Sequence, residues 1–111
     1  MDVQEFIAFC LQKIIVFFQP EKVYMFGSQA RGDATEDSDV DFLVVTPSGE
    51  SKRNRSLKFR HLLRGNYWYP VDIVVYTSAE LENEKNIKGT IAYSAVKEGT
   101  LLYGSQPSKN S

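Results

Sequence analysis

The chain has 111 residues, a formal net charge of −1 and one cysteine. Its hydrophobic fraction of 42% and charged fraction of 24% are ordinary for one small folded domain and exclude a low-complexity chain. A single cysteine excludes an internal disulfide, and no apolar run is long enough to cross a membrane. Proteins that grip nucleic acid through its phosphates are usually more basic, so nucleic acid is not expected as the main ligand.

An amphipathic helix is the first predicted element. Asp2 and Glu5 have the spacing of a helix N-cap and its partner, and Pro20 ends the helix. Apolar residues follow at helical spacing, namely Val3, Phe6, Ile7, Cys10, Leu11, Ile14, Phe17 and Phe18. Cys10 lies on this stripe, so we interpret it as a core residue rather than a nucleophile. Two apolar residues off the stripe leave a partner-contact surface open as an alternative: Phe9 and Ile15.

Four short segments are predicted as β-strands: 23–26, 39–46, 71–76 and 100–103. The first strand ends at the turn Gly27-Ser28, which leads into a short helical piece that Gly32 can terminate. The fourth strand is short and is expected at an edge of the sheet.

Further helices are predicted between and after these strands. Segment 51–64 is rich in lysine and arginine, and we interpret it as a helix with a solvated charged face. Thr77 and Glu80 have the capping-box spacing of another helix start. A last amphipathic helix ends at Gly99.

This order of elements predicts an α/β (α+β) fold, in which a small mixed sheet is flanked by helices. Residues 1–104 are expected to form a single domain, and the polar tail 105–111 is expected to be disordered. The N-terminus shows no secretory signal, and together with the lone cysteine this predicts a cytoplasmic protein.

The second predicted strand carries two carboxylates on one face. Side chains alternate along a strand, so Asp39 and Asp41 point the same way, roughly 6.6 Å apart. Burying carboxylates is costly, and like charges this close resist ionising together. A divalent cation removes both objections, because Mg²⁺ prefers oxygen ligands and is often held by carboxylates and substrate phosphates. The pattern therefore indicates phosphate chemistry.

A third carboxylate, Asp72, lies within the next apolar strand. If that strand lies beside the second one, the three carboxylates converge and can hold two metal ions about 3.5–4 Å apart. Each aspartate alone is more simply explained by a turn, an arginine pair or a strand edge. The three together are not, because acids are rarely buried without a partner.

These residues resemble a known signature. Gly27-Ser28, a ten-residue interval and Asp39-Val40-Asp41 are similar to the motif of the DNA polymerase beta-like nucleotidyltransferase superfamily. With Asp72 in a later strand and the ending 95–103, the chain resembles its small branch, the minimal nucleotidyltransferase family. The resemblance covers nearly the whole chain and implies the nucleotidyltransferase fold.

The resemblance also implies roles for individual residues. Asp39, Asp41 and Asp72 would be catalytic residues and ligands of two Mg²⁺ ions, with Asp72 a candidate general base. Gly27, Ser28 and Arg31 would contact the triphosphate, although Arg31 could equally pair with the acidic loop 33–37. The reaction would be attack of an acceptor hydroxyl on the α-phosphate of ATP or another nucleoside triphosphate.

The chain has no room for the acceptor-binding domain of larger transferases. By resemblance, its partner would be a separate helical HEPN-type protein, and the pair would act as toxin and antitoxin. Two alternatives stay open: a non-catalytic module that only binds this partner, and a subunit of an aminoglycoside-type small-molecule transferase. The sequence leaves homo-oligomers open as well.

Overall fold

The computed structural model describes residues 2–32, 39–47 and 71–104. Within these ranges the strands are β1 (Lys22–Phe26), β2 (Val40–Thr46), β3 (Val71–Thr77) and β4 (Thr100–Tyr103). The helices are α1 (Val3–Phe18), α2 (Ser28–Arg31), α3 (Ser78–Glu84) and α4 (Ile91–Tyr93), and α4 continues as a π-helical turn, Ser94–Glu98. Asp39 therefore lies just before β2 rather than inside the strand.

The four strands form one mixed sheet in the order β3-β2-β1-β4. Strand β1 is antiparallel to both β2 and β4, whereas β2 and β3 run parallel. The predicted mixed sheet and the predicted edge position of 100–103 are thus confirmed. Because β2 and β3 run parallel and β1 runs antiparallel to β2, the last residue of β1 lies at the same end of the sheet as the first residues of β2 and β3.

Helix α1 covers one face of this sheet. Its buried residues pack on alternate residues of three strands in one apolar cluster: Phe6, Ile7, Cys10, Ile14, Val23, Met25, Val40, Phe42, Val44, Ile73 and Val75. Cys10 is fully buried, as predicted, and burial raises the pKa of its thiol to about 12. The placement of Phe17 on the buried stripe was wrong, since 40% of its surface is exposed. Residue 17 lies in the last turn of α1, where its ring packs edge-on against Phe18.

The opposite face is covered by α3, α4 and the π-helical turn. The second buried cluster consists of Tyr24, Leu43, Val45, Tyr76, Leu81, Ala92 and Ala95. Burial on both faces explains why β2 reads as a nearly continuous apolar run rather than as an alternating one. It also makes the carboxylate of Asp41, in this run, unusual.

Several predicted helix ends are confirmed. The Asp2 side chain accepts a hydrogen bond from the Glu5 amide, and Thr77 and Glu80 form both bonds of a capping box. The last helix ends at Gly99, but the sequence pattern did not predict that its second half is π-helical.

Some predictions fall on residues outside the described ranges. They are the basic helix 51–64, the acidic loop 33–37 and the disordered tail 105–111. In the part of the chain that the structure describes, no helix is both long and apolar enough to span a membrane.

Candidate active site

The three predicted metal ligands converge at the edge where β2 and β3 begin. Asp41 and Asp72 are register partners on these parallel strands, and Asp39 precedes β2. One carboxylate oxygen from each of the three residues lies within 4.8 Å of the others. The expectation that the third strand lies beside the second is therefore confirmed, and with it the convergence of the carboxylates.

The three carboxylates differ in their surroundings. Asp39 and Asp72 are exposed, whereas Asp41 between them is half-buried. The pKa of Asp41 is raised to about 6, first by burial and then by the neighbouring charges of Asp72 and Asp39, while the charge of Arg31 acts in the opposite direction. Three carboxylates and the charge of Arg31 therefore act on one another in this small region.

The donor set fits Mg²⁺. It offers carboxylate oxygens from three side chains within one small cluster, and the clustered residues include no histidine or cysteine. Hard divalent cations prefer such oxygen ligands, and a bound cation would offset the repulsion that raises the pKa of Asp41.

The turn Gly27-Ser28 connects β1 to α2 at the same edge of the sheet. The Arg31 amide donates to the Gly27 carbonyl over 3.1 Å, and the Gly32 amide donates to the Ser28 carbonyl over 3.0 Å. Gly32 ends the helix in the left-handed conformation, with φ +82°. The predicted short helix that Gly32 terminates is thus confirmed, with Ser28 as its first residue.

Arg31 is the last residue of α2 and is exposed. The positive charge of Arg31 lowers the pKa of Asp41, so the Arg31 side chain lies close enough to the carboxylates to interact with them. Whether it also pairs with loop 33–37 falls outside the described residues. This position suits the neutralisation of an anion that binds beside the aspartates.

Phe26 is a neighbour of the site that the sequence interpretation did not single out. It is the antiparallel register partner of Asp41 and is half-buried beside the second apolar cluster. Directly opposite residues on antiparallel strands have their side chains on one face, about 4.5–5.5 Å apart at Cβ. The row Asp72, Asp41 and Phe26 therefore crosses three strands, and only strand pairing, which the sequence does not show directly, reveals it.

Comparison with known proteins gives consistent results. The family model described as "Nucleotidyltransferase domain" matches residues 5–98. A curated relative from Methanocaldococcus jannaschii, named "Putative protein adenylyltransferase MJ0604", is 35% identical over 83 residues, which are 75% of this chain and 78% of that protein. A crystal structure described as a "putative nucleotidyltransferase" from Sulfolobus solfataricus superposes with a TM-score of 0.56 at 26% identity, covering 89% of this chain and 86% of that one.

Proposed function

The chain belongs to the nucleotidyltransferase-domain family and is a nucleotidyltransferase, and we propose that it transfers AMP from ATP to an acceptor hydroxyl in an Mg²⁺-dependent reaction. The observation that supports this proposal most is the convergence of Asp39, Asp41 and Asp72, with oxygens within 4.8 Å of one another. A donor set of this kind suits the two metal ions used for in-line displacement at phosphorus.

In this proposal all three aspartates bind metal, and Asp72 has a second role as the base. Asp39, Asp41 and Asp72 would hold Mg²⁺, which would supply charge neutralisation for the phosphate oxygens. Asp72 is exposed and stands beside Asp41, so an incoming acceptor can reach it. Its carboxylate takes the proton of the acceptor hydroxyl as the oxygen of that hydroxyl bonds to the α-phosphorus. The bond from the α-phosphorus to the bridging oxygen breaks, and pyrophosphate leaves with that oxygen.

The triphosphate is assigned to the turn after β1. The Ser28 hydroxyl and the backbone amides of this turn are hydrogen-bond donors, and Arg31 adds positive charge for the leaving pyrophosphate. Helix α2 has four residues, so its macrodipole contributes little and binding depends on individual donors. Positioning and charge neutralisation then supply most of the catalysis.

The acceptor is proposed to be a hydroxyl on a protein. The relative from Methanocaldococcus jannaschii carries the name of a protein adenylyltransferase, which supports this choice over a small-molecule acceptor. The resemblance to minimal nucleotidyltransferases suggests a small helical HEPN-type partner, which AMP transfer would silence in a cytoplasmic toxin–antitoxin pair.

The proposal is tested by incubating the protein with α-labelled ATP, Mg²⁺ and a co-purified partner or lysate. We expect a labelled protein acceptor with wild type and none with Asp41→Asn, because the amide removes a charged ligand. Glu82→Gln is the matched control, since it makes the same chemical change at an exposed residue of α3. Equal labelling by wild type and Asp41→Asn would refute the proposal. No labelling, with a partner still bound to both proteins, would favour the non-catalytic binding module.

A further inference from the structure

Gly27 lies against the central carboxylate of the aspartate cluster. It follows Phe26, the last residue of β1 and the register partner of Asp41. The Asp41 side chain leans over this strand end. A methyl group built on Gly27 would overlap the Asp41 Oδ2 atom, and it would lie 3.3 Å from the Asp41 Cγ atom. The space that a side chain would fill at Gly27 is therefore occupied by the Asp41 carboxylate.

Gly27 also has a backbone conformation that glycine adopts far more easily than other residues do. Its φ is +76° and its ψ is −158°, a combination that is essentially confined to glycine. This conformation turns the chain from β1 into α2 beside the carboxylate. Two separate properties, the conformation and the missing side chain, thus require glycine here, and an experiment can separate them.

We infer that Gly27 is a positioning residue for Asp41: its missing side chain leaves the room in which the Asp41 carboxylate is held towards Asp39 and Asp72. The inference rests on the proposed function only in taking Asp41 to be a metal ligand. It differs from the phosphate-turn role that the sequence suggested for Gly27, because it acts through a protein side chain and operates before any nucleotide binds.

Gly32 provides a matched control four residues from Ser28. Its φ of +82° is also positive, yet a methyl group built there has no neighbour within 4 Å. Gly32→Ala therefore imposes backbone strain without displacing a carboxylate. Gly32→Ala controls for a positive φ only, because Gly32 has ψ 11° in the left-handed helical region whereas the conformation of Gly27 is essentially confined to glycine. The contact with Asp41 is therefore isolated by repeating Gly27→Ala in an Asp41→Ala background.

The first test is Mn²⁺ binding to the nucleotide-free protein, measured on the folded fraction. A methyl group at Gly27 displaces a short, rotatable side chain, so its main cost falls on metal affinity. We expect Gly27→Ala to weaken Mn²⁺ binding at least tenfold and Gly32→Ala to change it less than twofold. In an Asp41→Ala background, where no carboxylate remains to be displaced, Gly27→Ala should change the residual affinity less than twofold. Unchanged Mn²⁺ affinity in Gly27→Ala would overturn the inference.

A stability measurement covers the case in which Gly27→Ala does not fold. Without metal, the unfolding equilibrium constant should rise by a smaller factor on Gly27→Ala in the Asp41→Ala background than in wild type. A folded double variant beside an unfolded Gly27→Ala supports the inference. Two unfolded variants, or equal factors in both backgrounds, would overturn it, because the backbone conformation alone would then account for the glycine. Absence of AMP transfer by the wild-type protein, with the coupling between Gly27 and Asp41 intact, would instead refute the proposed function and leave this inference standing.

Discussion

Polar side chains are arranged differently at the two ends of one face of the sheet. At the start of β3, Asp72 lies beside Asp41, and burial together with the like charges of Asp72 and Asp39 raises the pKa of Asp41 to about 6. At the end of β3, the Tyr76 hydroxyl donates to Glu84 over 3.0 Å. One end brings three carboxylates close to one another and to Arg31, and the other pairs a hydroxyl donor with a carboxylate acceptor.

Several hydrogen bonds hold the end of the sheet that lies away from the aspartates. Thr77 and Glu80 cap α3 reciprocally, and the Ser78 hydroxyl donates to Glu21 at the start of β1. These bonds tie β3, α3 and β1 together about as far from the aspartates as the strands allow. Repelling carboxylates cost stability, so their convergence at the other end marks a candidate functional site.

The largest expected difference between the two ends is in catalysis. Asp72→Asn removes a carboxylate ligand and the candidate base, so we expect AMP transfer to fall at least about 100-fold. Tyr76→Phe, on the same strand and the same face, should leave the transfer rate within about twofold. Single-turnover assays on folded protein measure both. Comparable losses in the two variants would show that the strand matters only for folding.

Metal binding should raise the free energy of unfolding only when the aspartate cluster is intact. At a free Mg²⁺ or Mn²⁺ concentration 100 times the dissociation constant, wild type should gain about 2.7 kcal/mol. Asp41→Asn should gain much less, and Glu82→Gln should match wild type. Thermal unfolding with the cation, and again after chelation with EDTA, measures these gains. An equal gain in Asp41→Asn would locate the cation elsewhere.

The metal-free protein should lose stability as the pH rises. The pKa of Asp41 is about 6 in the folded state against an ordinary value of 3.8, so the folded state binds the proton more tightly than the unfolded state does. The free energy of unfolding therefore decreases from about pH 4, falls through the folded pKa, and levels off above about pH 7. Asp41→Asn should remove this slope and be more stable than wild type at neutral pH. Denaturant unfolding at several pH values, with EDTA present, measures the slope, and parallel profiles for the two proteins would contradict the account.

The smallest expected effect is the loss of stability on removing the hydrogen bond between Tyr76 and Glu84. Tyr76→Phe removes the hydrogen bond to Glu84 and should lower the free energy of unfolding by about 1 kcal/mol. Its metal-dependent gain in stability should equal that of wild type. Urea unfolding with and without Mg²⁺ checks both points, and a reduced metal gain would mean that the two ends are coupled.

The sequence predicted the elements that local chemistry determines. Caps at Asp2 and Thr77, the helix end at Gly99 and the buried position of Cys10 all follow from short-range patterns, and the structure has them. The sequence predicted that Asp41 and Asp72 meet only if their two strands are neighbours in the sheet. The sequence pattern alone does not determine which strands are neighbours.

Other features depend on tertiary contacts and were missed or wrong. Phe17 has helical spacing suited to the stripe, but it is 40% exposed in the last turn of α1, where its neighbour Phe18 packs against the core instead. The π-helical turn Ser94–Glu98 and the position of Phe26 opposite Asp41 depend on how the last helix and the strands pack. The contact of Gly27 with Asp41 has the same origin, since it joins residues fourteen apart through the pairing of β1 with β2.

The most direct measurement of the central claim compares ATP labelled at the α-phosphate with ATP labelled at the γ-phosphate. Both are incubated with Mg²⁺, wild-type protein and the co-purified partner, and the label on the acceptor and in released pyrophosphate is counted. The account predicts α-label on the acceptor, γ-label in pyrophosphate, and neither product with Asp41→Asn. Transfer of the γ-label to the acceptor, or α-label transfer that survives Asp41→Asn, would contradict nucleotidyl transfer at the three aspartates.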